Sequence, residues 1–221
     1  VGSEMCIRDS SSAAQNGFGA ANKLSNLVTT PMNGLGAAMT SFTAQNLGAG
    51  EHERIKKGTL QSLAMMAVLV AAAAGIGLLL TRNGFYLHVF LSDDKVTAET
   101  IRYGNTFLYV DFSMYIFLGF IFAVRNCVQG IGKSQFVLGA GAAELVARIV
   151  VSLLLPPLFA GGAVNAEAPA LAFYALCVAD PFAWIASDSV LLMPFVRNIL
   201  KMDYRYMHTH RVRREPEDTF A

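Results

Sequence analysis

Asp111, Glu144, Asp180 and Asp188 are carboxylates set inside apolar stretches of a 221-residue chain, and Arg125 and Arg148 stand inside the same stretches. In lipid such side chains are costly and face a cavity or a partner. They are therefore the first candidates for handling a proton or a cation. At about 100° per residue, Asp111, Tyr115, Leu118, Phe122, Arg125 and Gln129 share one helix face. That stripe reads as a cavity lining with a titratable carboxylate, or as an interfacial aspartate and an arginine that snorkels to the surface. Glu144 and Arg148 stand at i, i+4, a spacing that lets them pair on one helix face. The pair either orients helices or serves as a proton or cation relay through Glu144. Asp188, close to Ser187 and Trp184, is a pathway carboxylate or an interhelical hydrogen-bonding group.

Neutral polar residues form a second pattern. Asn22, Asn26, Thr29 and Asn33 make a stripe in the first apolar segment, with Thr40 and Gln45 further on. Such stripes glue helices together or line water. The segment runs through Pro31 and Gly34 to Gln45-Asn46-Leu-Gly48-Ala49-Gly50, then into Arg54, Lys56 and Lys57. Gly48-Ala49-Gly50 reads as a helix stop at a membrane surface, with Gln45 and Asn46 as packing and capping groups beside it. Two enzyme-like motifs weaken on inspection. Gly130-Ile-Gly132-Lys133-Ser134 has the tail of a phosphate loop, but Cys127 stands where its first glycine belongs. Glu144-Leu-Val-Ala-Arg148 resembles an element of intramembrane metalloproteases, but Ala143 precedes Glu144, and His52, His88, His208 and His210 lie in loops or the tail.

The elements that must position these residues are membrane helices. Hydrophobic residues make up 54% and charged residues 15% of the chain, with a mean hydropathy of +0.44. Soluble domains carry about 25% charged residues. A net charge of +1 gives no reason to expect nucleic acid or another anionic partner. Five segments approach the ~20 apolar residues that a span requires. They cover about 18–47, 58–80, 103–128, 136–160 and 168–196. The first is expected to be one long helix kinked at Pro31, with Lys23 near its end. Cys127 and Cys177 fall in apolar segments as small packing residues. No cofactor or metal site is expected.

Bases favour cytoplasmic loops. The 51–57 and 129–135 loops and a basic tail over 201–221 are therefore expected inside the cell, and the base-free 161–168 loop outside. Phe85, Tyr86, Tyr103, Tyr109, Tyr174 and Trp184 fall near span ends, as an aromatic belt or as packing. Residues 1–12 differ from the rest in composition and are expected to be a non-native or disordered leader. The membrane domain is then 13–200. An odd number of spans and the lack of an initiator Met suggest a fragment.

The motif P-x-x-G-x-G…F-x-A-Q-N-L-G-A-G…E-R-x-K-K-G over Pro31–Gly58 resembles the second-repeat signature of the multidrug and toxic compound extrusion (MATE) family. Arg125-Asn126…Gln129-Gly130-Ile-Gly132-Lys133-Ser134, Glu144…Arg148 and Asp180-Pro181…Trp184 extend the likeness. It covers about residues 13–200. The resemblance implies an all-α membrane protein whose five helices are the last five of a twelve-helix transporter. It implies a bacterial inner-membrane antiporter that exports cationic or amphipathic drugs in exchange for protons or sodium ions. Its partners would be the bilayer, the drug and an N-terminal lobe of the same chain. The resemblance assigns Pro31, Gly34, Gln45, Asn46, Gly48, Gly50, Gln129, Gly130 and Gly132 to structural motif positions. Asp111, Tyr115, Glu144, Arg148, Asn33 and Asp188 remain as candidates for the substrate or ion pathway. Some branches carry a cation-binding acid where this chain has Leu118, and Asp111 lies one heptad before it. A lipid-linked or polysaccharide flippase of the same broad superfamily is the second implied reading.

Overall fold

The computed structural model describes residues 12–161 and 170–201. The leader before Ser12, most of the 161–168 loop and the tail beyond Lys201 lie outside the described residues.

The described residues are almost all helical, with no strand among them. Helix α1 spans Ser12–Gly48, α2 His52–Thr81, α3 Phe85–Phe90, α4 Ala98–Ser113 and α5 Tyr115–Gly130. They are followed by α6 (Ser134–Ala160), α7 (Ala170–Cys177) and α8 (Ala179–Phe195), and a π turn over Val196–Leu200 closes the series. This is the all-α membrane architecture expected from composition. Three helices are long and apolar enough to cross a bilayer: His52–Thr81, Ser134–Phe159 and Ala172–Leu200. The α4–α5 pair makes a fourth if its bent halves count as one span. The expected count of five is thus not reached by length and apolarity. The shortfall is α1, whose exposed face carries Asn26, Thr30, Asn33, Ser41 and Gln45.

The first expected span is a single helix, longer than expected at Ser12–Gly48, and it runs through Pro31 without a break. The third is not continuous, because α4 and α5 meet at Met114 with a 53° bend. No proline causes it. Ser113 Oγ donates to the Val110 carbonyl at 2.7 Å, and the Met114 N–H turns instead to Asp111 O at 3.0 Å. A serine that bonds back into its own helix competes with the ladder and often bends it, although Ser62 makes the same bond inside the unbroken α2.

Small residues set the helix spacing. A Cβ on Gly17 of α1 would lie 2.6 Å from the Thr100 carbonyl and 2.9 Å from the Gly104 nitrogen of α4. At the other end of α1, a Cβ on Gly130 would lie 2.7 Å from the Thr40 carbonyl. Without a hydrophobic drive between helices in lipid, such close backbone approach supplies the packing. The core has two parts. One gathers Leu24, Met32, Phe107, Leu108, Phe112 and Tyr115 around α1, α2 and the α4–α5 bend. The other joins Ile55, Val128, Ile131, Leu191 and Ile199. The second cluster brings the α1–α2 turn, the α5–α6 turn and the end of α8 to one end of the bundle. Arg54, Lys56, Lys57, Lys133, Arg197 and Lys201 stand at that end with Glu51 and Glu53. The α1–α2 and α5–α6 turns therefore share an end, and the stretch from His52 expected as loop forms the first turns of α2.

Of the expected aromatic belt, Phe85 and Tyr109 are exposed, but Tyr86 and Trp184 are buried in the packing. Lys23 sits over the Phe90 ring, 6.0 Å from its centroid, about a third of the way along α1 and not at its end as expected. Cys127 and Cys177 are buried and unpaired.

Candidate functional site

Three helices meet at Asp111. The residue lies in the last turn of α4, immediately before the bend, and is 3% exposed. Ser25 of α1 donates to Asp111 Oδ2 at 2.8 Å. Tyr115, the first residue of α5 and fully buried, places its hydroxyl 2.7 Å from the same Ser25 oxygen. A serine hydroxyl has one proton to give. With that proton committed to Asp111, Tyr115 must donate to Ser25. The result is a chain of two hydroxyls ending on a carboxylate, and it clamps both sides of the α4–α5 bend to α1. Apolar rings enclose it. Phe112 and Trp184 meet the Tyr115 ring edge-on, with centroids 5.0 and 6.0 Å away.

A second polar group runs through the same layer between α5, α6 and α8. Arg125 Nη2 lies 3.2 Å from Glu144 Oε2, and Arg148 Nη2 lies 3.3 Å from Glu144 Oε1. Arg148 Nε is 2.9 Å from Asp180 Oδ1. Glu144 thus bridges two arginines, and Arg148 bridges two carboxylates. Asp180 and Arg148 are within electrostatic reach of Asp111, which joins the ladder to the Ser25 cluster. Asp188 feels Arg125 and Glu144, but its Oδ1 is buried with no hydrogen-bond partner among the described residues.

The i, i+4 pairing of Glu144 and Arg148 forms as the spacing required. Arg125 pairs within the bundle. It turns to Glu144, because α6 passes beside α5 at that level. The proposed face from Asp111 to Gln129 is broken by the bend: Asp111 and Tyr115 share Ser25, whereas Gln129 is exposed at the basic end. Asn33 is exposed on α1 and not part of either cluster, its amide reaching only the Thr29 carbonyl at 3.5 Å. Among the motif residues, Pro31, Gly34, Gln45 and Gly48 are exposed. Asn46 is buried and donates to the Phe42 carbonyl at 2.7 Å, while its own carbonyl accepts from Glu51 N at 2.8 Å. Gly50 and Gly132 adopt φ of 74° and 78°, left-handed values that favour glycine at the two turns. Around Glu144 there is no gathering of three His, Cys, Asp or Glu side chains among the described residues. Sequence reasoning missed Ser25 as a partner, because a lone serine in a small-residue helix has no periodic signature.

The two arginines face four carboxylates in this layer: Asp111, Glu144, Asp180 and Asp188. The arginines pair with Glu144 and Asp180, and Asp111 and Asp188 make no ion pair among the described residues. A family model described as MatE matches residues 5–154 of the chain. No curated protein and no solved structure matches it significantly. With more than half the chain covered and apolar helices carrying a buried polar layer, this multi-pass membrane protein belongs to the MatE family of membrane transporters.

Proposed function

We propose that the chain is part of a secondary antiporter that exports cationic or amphipathic drugs in exchange for protons or sodium ions. The observation that carries this reading is the excess of carboxylates over arginines between the helices. An excess acid can bind a cation in one conformation and release it in another, and such differential binding is what coupling requires. Asp111 is the proposed coupling carboxylate, with Ser25 and Tyr115 as the hydroxyls that orient it. Glu144, Arg148 and Asp180 hold α6 against α8 beside it, and Asp188 is a second pathway carboxylate. The exposed polar face of α1, with Asn26, Asn33 and Gln45, is proposed to meet an N-terminal lobe across a watery passage. The basic end of the bundle supports a cytoplasmic placement of the tail.

A flippase for lipid-linked glycans would be expected to present free cations to its anionic substrate. Here Arg125 and Arg148 are both taken up by carboxylates, which favours the drug antiporter. The test is ethidium transport in everted membrane vesicles from bacteria that express the complete reading frame. Transport that requires a proton or sodium gradient and collapses in Asp111→Asn, at equal protein levels, is expected. Absence of ethidium transport together with export of a lipid-linked glycan would overturn the drug reading.

A further inference from the structure

We propose that the recess between the start of α6 and the end of α8 binds the phosphate headgroup of an anionic phospholipid, whose acyl chain lies in the adjoining groove of α8. The recess is about 250 Å³ and is lined by Lys133, Gln135, Phe136, Pro194, Arg197 and Asn198. Two cations and two amides converge there. The N-terminus of the 27-residue α6 opens directly after Lys133 and adds its partial positive charge. Neither Lys133 nor Arg197 pairs with an acid among the described residues, in contrast to the two arginines deeper in the bundle.

The neighbouring groove decides the class of ligand. It is about 470 Å³ and is formed by Leu192, Met193 and Val196, with Ser189, Arg197 and Lys201 at its rim. Met193 and Arg197 line both spaces. A polar recess that opens at a shared arginine onto an apolar groove matches a headgroup and the first methylenes of its chain. A free phosphate would use the recess and leave the groove idle. Drug-sized ligands occupy pockets of about 300–1,000 Å³, so the recess itself is too small for the transported compounds. Its place at the base-rich end of the bundle puts it at headgroup depth. Arg197 and Asn198 of the recess stand on the π turn over Val196–Leu200, and Lys201 of the groove directly follows it.

The test is native mass spectrometry of the full chain purified in detergent, with phosphatidylglycerol or phosphatidylcholine added at equal concentration. Wild type is expected to retain phosphatidylglycerol in preference to phosphatidylcholine. Lys133→Gln with Arg197→Gln should weaken that preference by about fivefold for each cation removed. Lys56→Gln with Lys57→Gln removes the same charge at the same end, outside the recess, and should leave the preference intact. Lys57, Lys133 and Arg197 are exposed and Lys56 is half-buried, so the variants should insert like wild type. Lys133→Arg with Arg197→Lys should retain binding. Equal loss in both glutamine pairs would mean a diffuse charge effect and overturn the proposal. So would an unchanged preference in the Lys133/Arg197 pair. Displacement of the lipid by millimolar inorganic phosphate as readily as by competing phosphatidylglycerol would replace the lipid site with a phosphate site.

Discussion

Ser25 on α1 donates a 2.8 Å hydrogen bond to Asp111 on α4, eighty-six residues away in sequence. The same oxygen meets the Tyr115 hydroxyl across the α4–α5 bend. One small side chain therefore ties a buried carboxyl, a helix break and a neighbouring helix together. Ser25→Ala removes the hydroxyl that joins Asp111 to Tyr115, which costs about 1–3 kcal/mol where buried polar groups are left unsatisfied. Tyr115→Phe removes only the outer member of the chain, a typical hydrogen bond of about 0.5–1.5 kcal/mol. The apparent unfolding midpoint in detergent should fall further in Ser25→Ala than in Tyr115→Phe. Ethidium efflux should fall in the same order, with Asp111→Asn lowest. Full efflux in Ser25→Ala would remove the hydroxyl chain from the coupling site.

The ion-pair ladder makes an asymmetric prediction. Among the described residues, Arg148 pairs with two carboxylates, Glu144 and Asp180, whereas Arg125 pairs with Glu144. Removing one partner of a buried pair costs about 3–5 kcal/mol. These groups keep a fifth to nearly a third of their side-chain surface accessible, so a smaller loss is expected. Arg148→Gln should lower thermal stability more than Arg125→Gln. Combining Arg148→Gln with Glu144→Gln should cost less than the sum of the two, with a coupling of about 0.5–3 kcal/mol. Equal losses for the two arginines, or strict additivity, would show that the contacts do not bear on stability.

What the sequence disclosed follows from how local each contact is. Glu144 and Arg148 share one helix, so the helical period alone predicts their pairing. The small residues of α1 and the glycines at 50 and 132 are likewise legible, since lipid packing and left-handed turns restrict residue type. Arg125 with Glu144, Arg148 with Asp180 and Ser25 with Asp111 join different helices. Their pairing depends on which faces the bundle turns toward each other, and one chain's periodicity does not contain that. The α4–α5 bend was hidden for another reason. Apolar residues continue through Met114, and the single serine that diverts the ladder looks like any other small residue in a span.

Glycine substitutions separate close approach from helix propensity. A Cβ on Gly17 meets the Thr100 carbonyl and the Gly104 backbone, whereas one on Gly19 meets nothing within 4 Å. Both lie in α1, where alanine is intrinsically preferred to glycine by about 1 kcal/mol. Gly19→Ala should therefore be neutral or stabilising. Gly17→Ala should destabilise by about 1–3 kcal/mol, the usual cost of overpacking, and should separate α1 from α4. Thermal midpoints of the two variants that move together would mean that α1 and α4 do not pack at Gly17.

The bend itself can be tested through Ser113. Its hydroxyl occupies the Val110 carbonyl, the acceptor that the Met114 N–H would use in an unbroken helix. Ser113→Ala frees that carbonyl and introduces a better helix former, so α4 and α5 should straighten. Each has 16 residues, about 24 Å at 1.5 Å per residue. Loss of a 53° bend would lengthen the end-to-end distance by about 5 Å on the same rise. Spin labels at Glu99→Cys and Gln129→Cys report that distance, both positions being exposed. Cys6 is replaced by Ser in this background, and the buried Cys127 and Cys177 are shielded from the label. A longer distance in Ser113→Ala is expected. If the distance changes only when Ser25→Ala is added, the clamp on Asp111 and Tyr115 holds the bend and Ser113 merely accommodates it. If it changes in neither variant, the bend is imposed by packing against α1 and α8, and neither hydroxyl controls it.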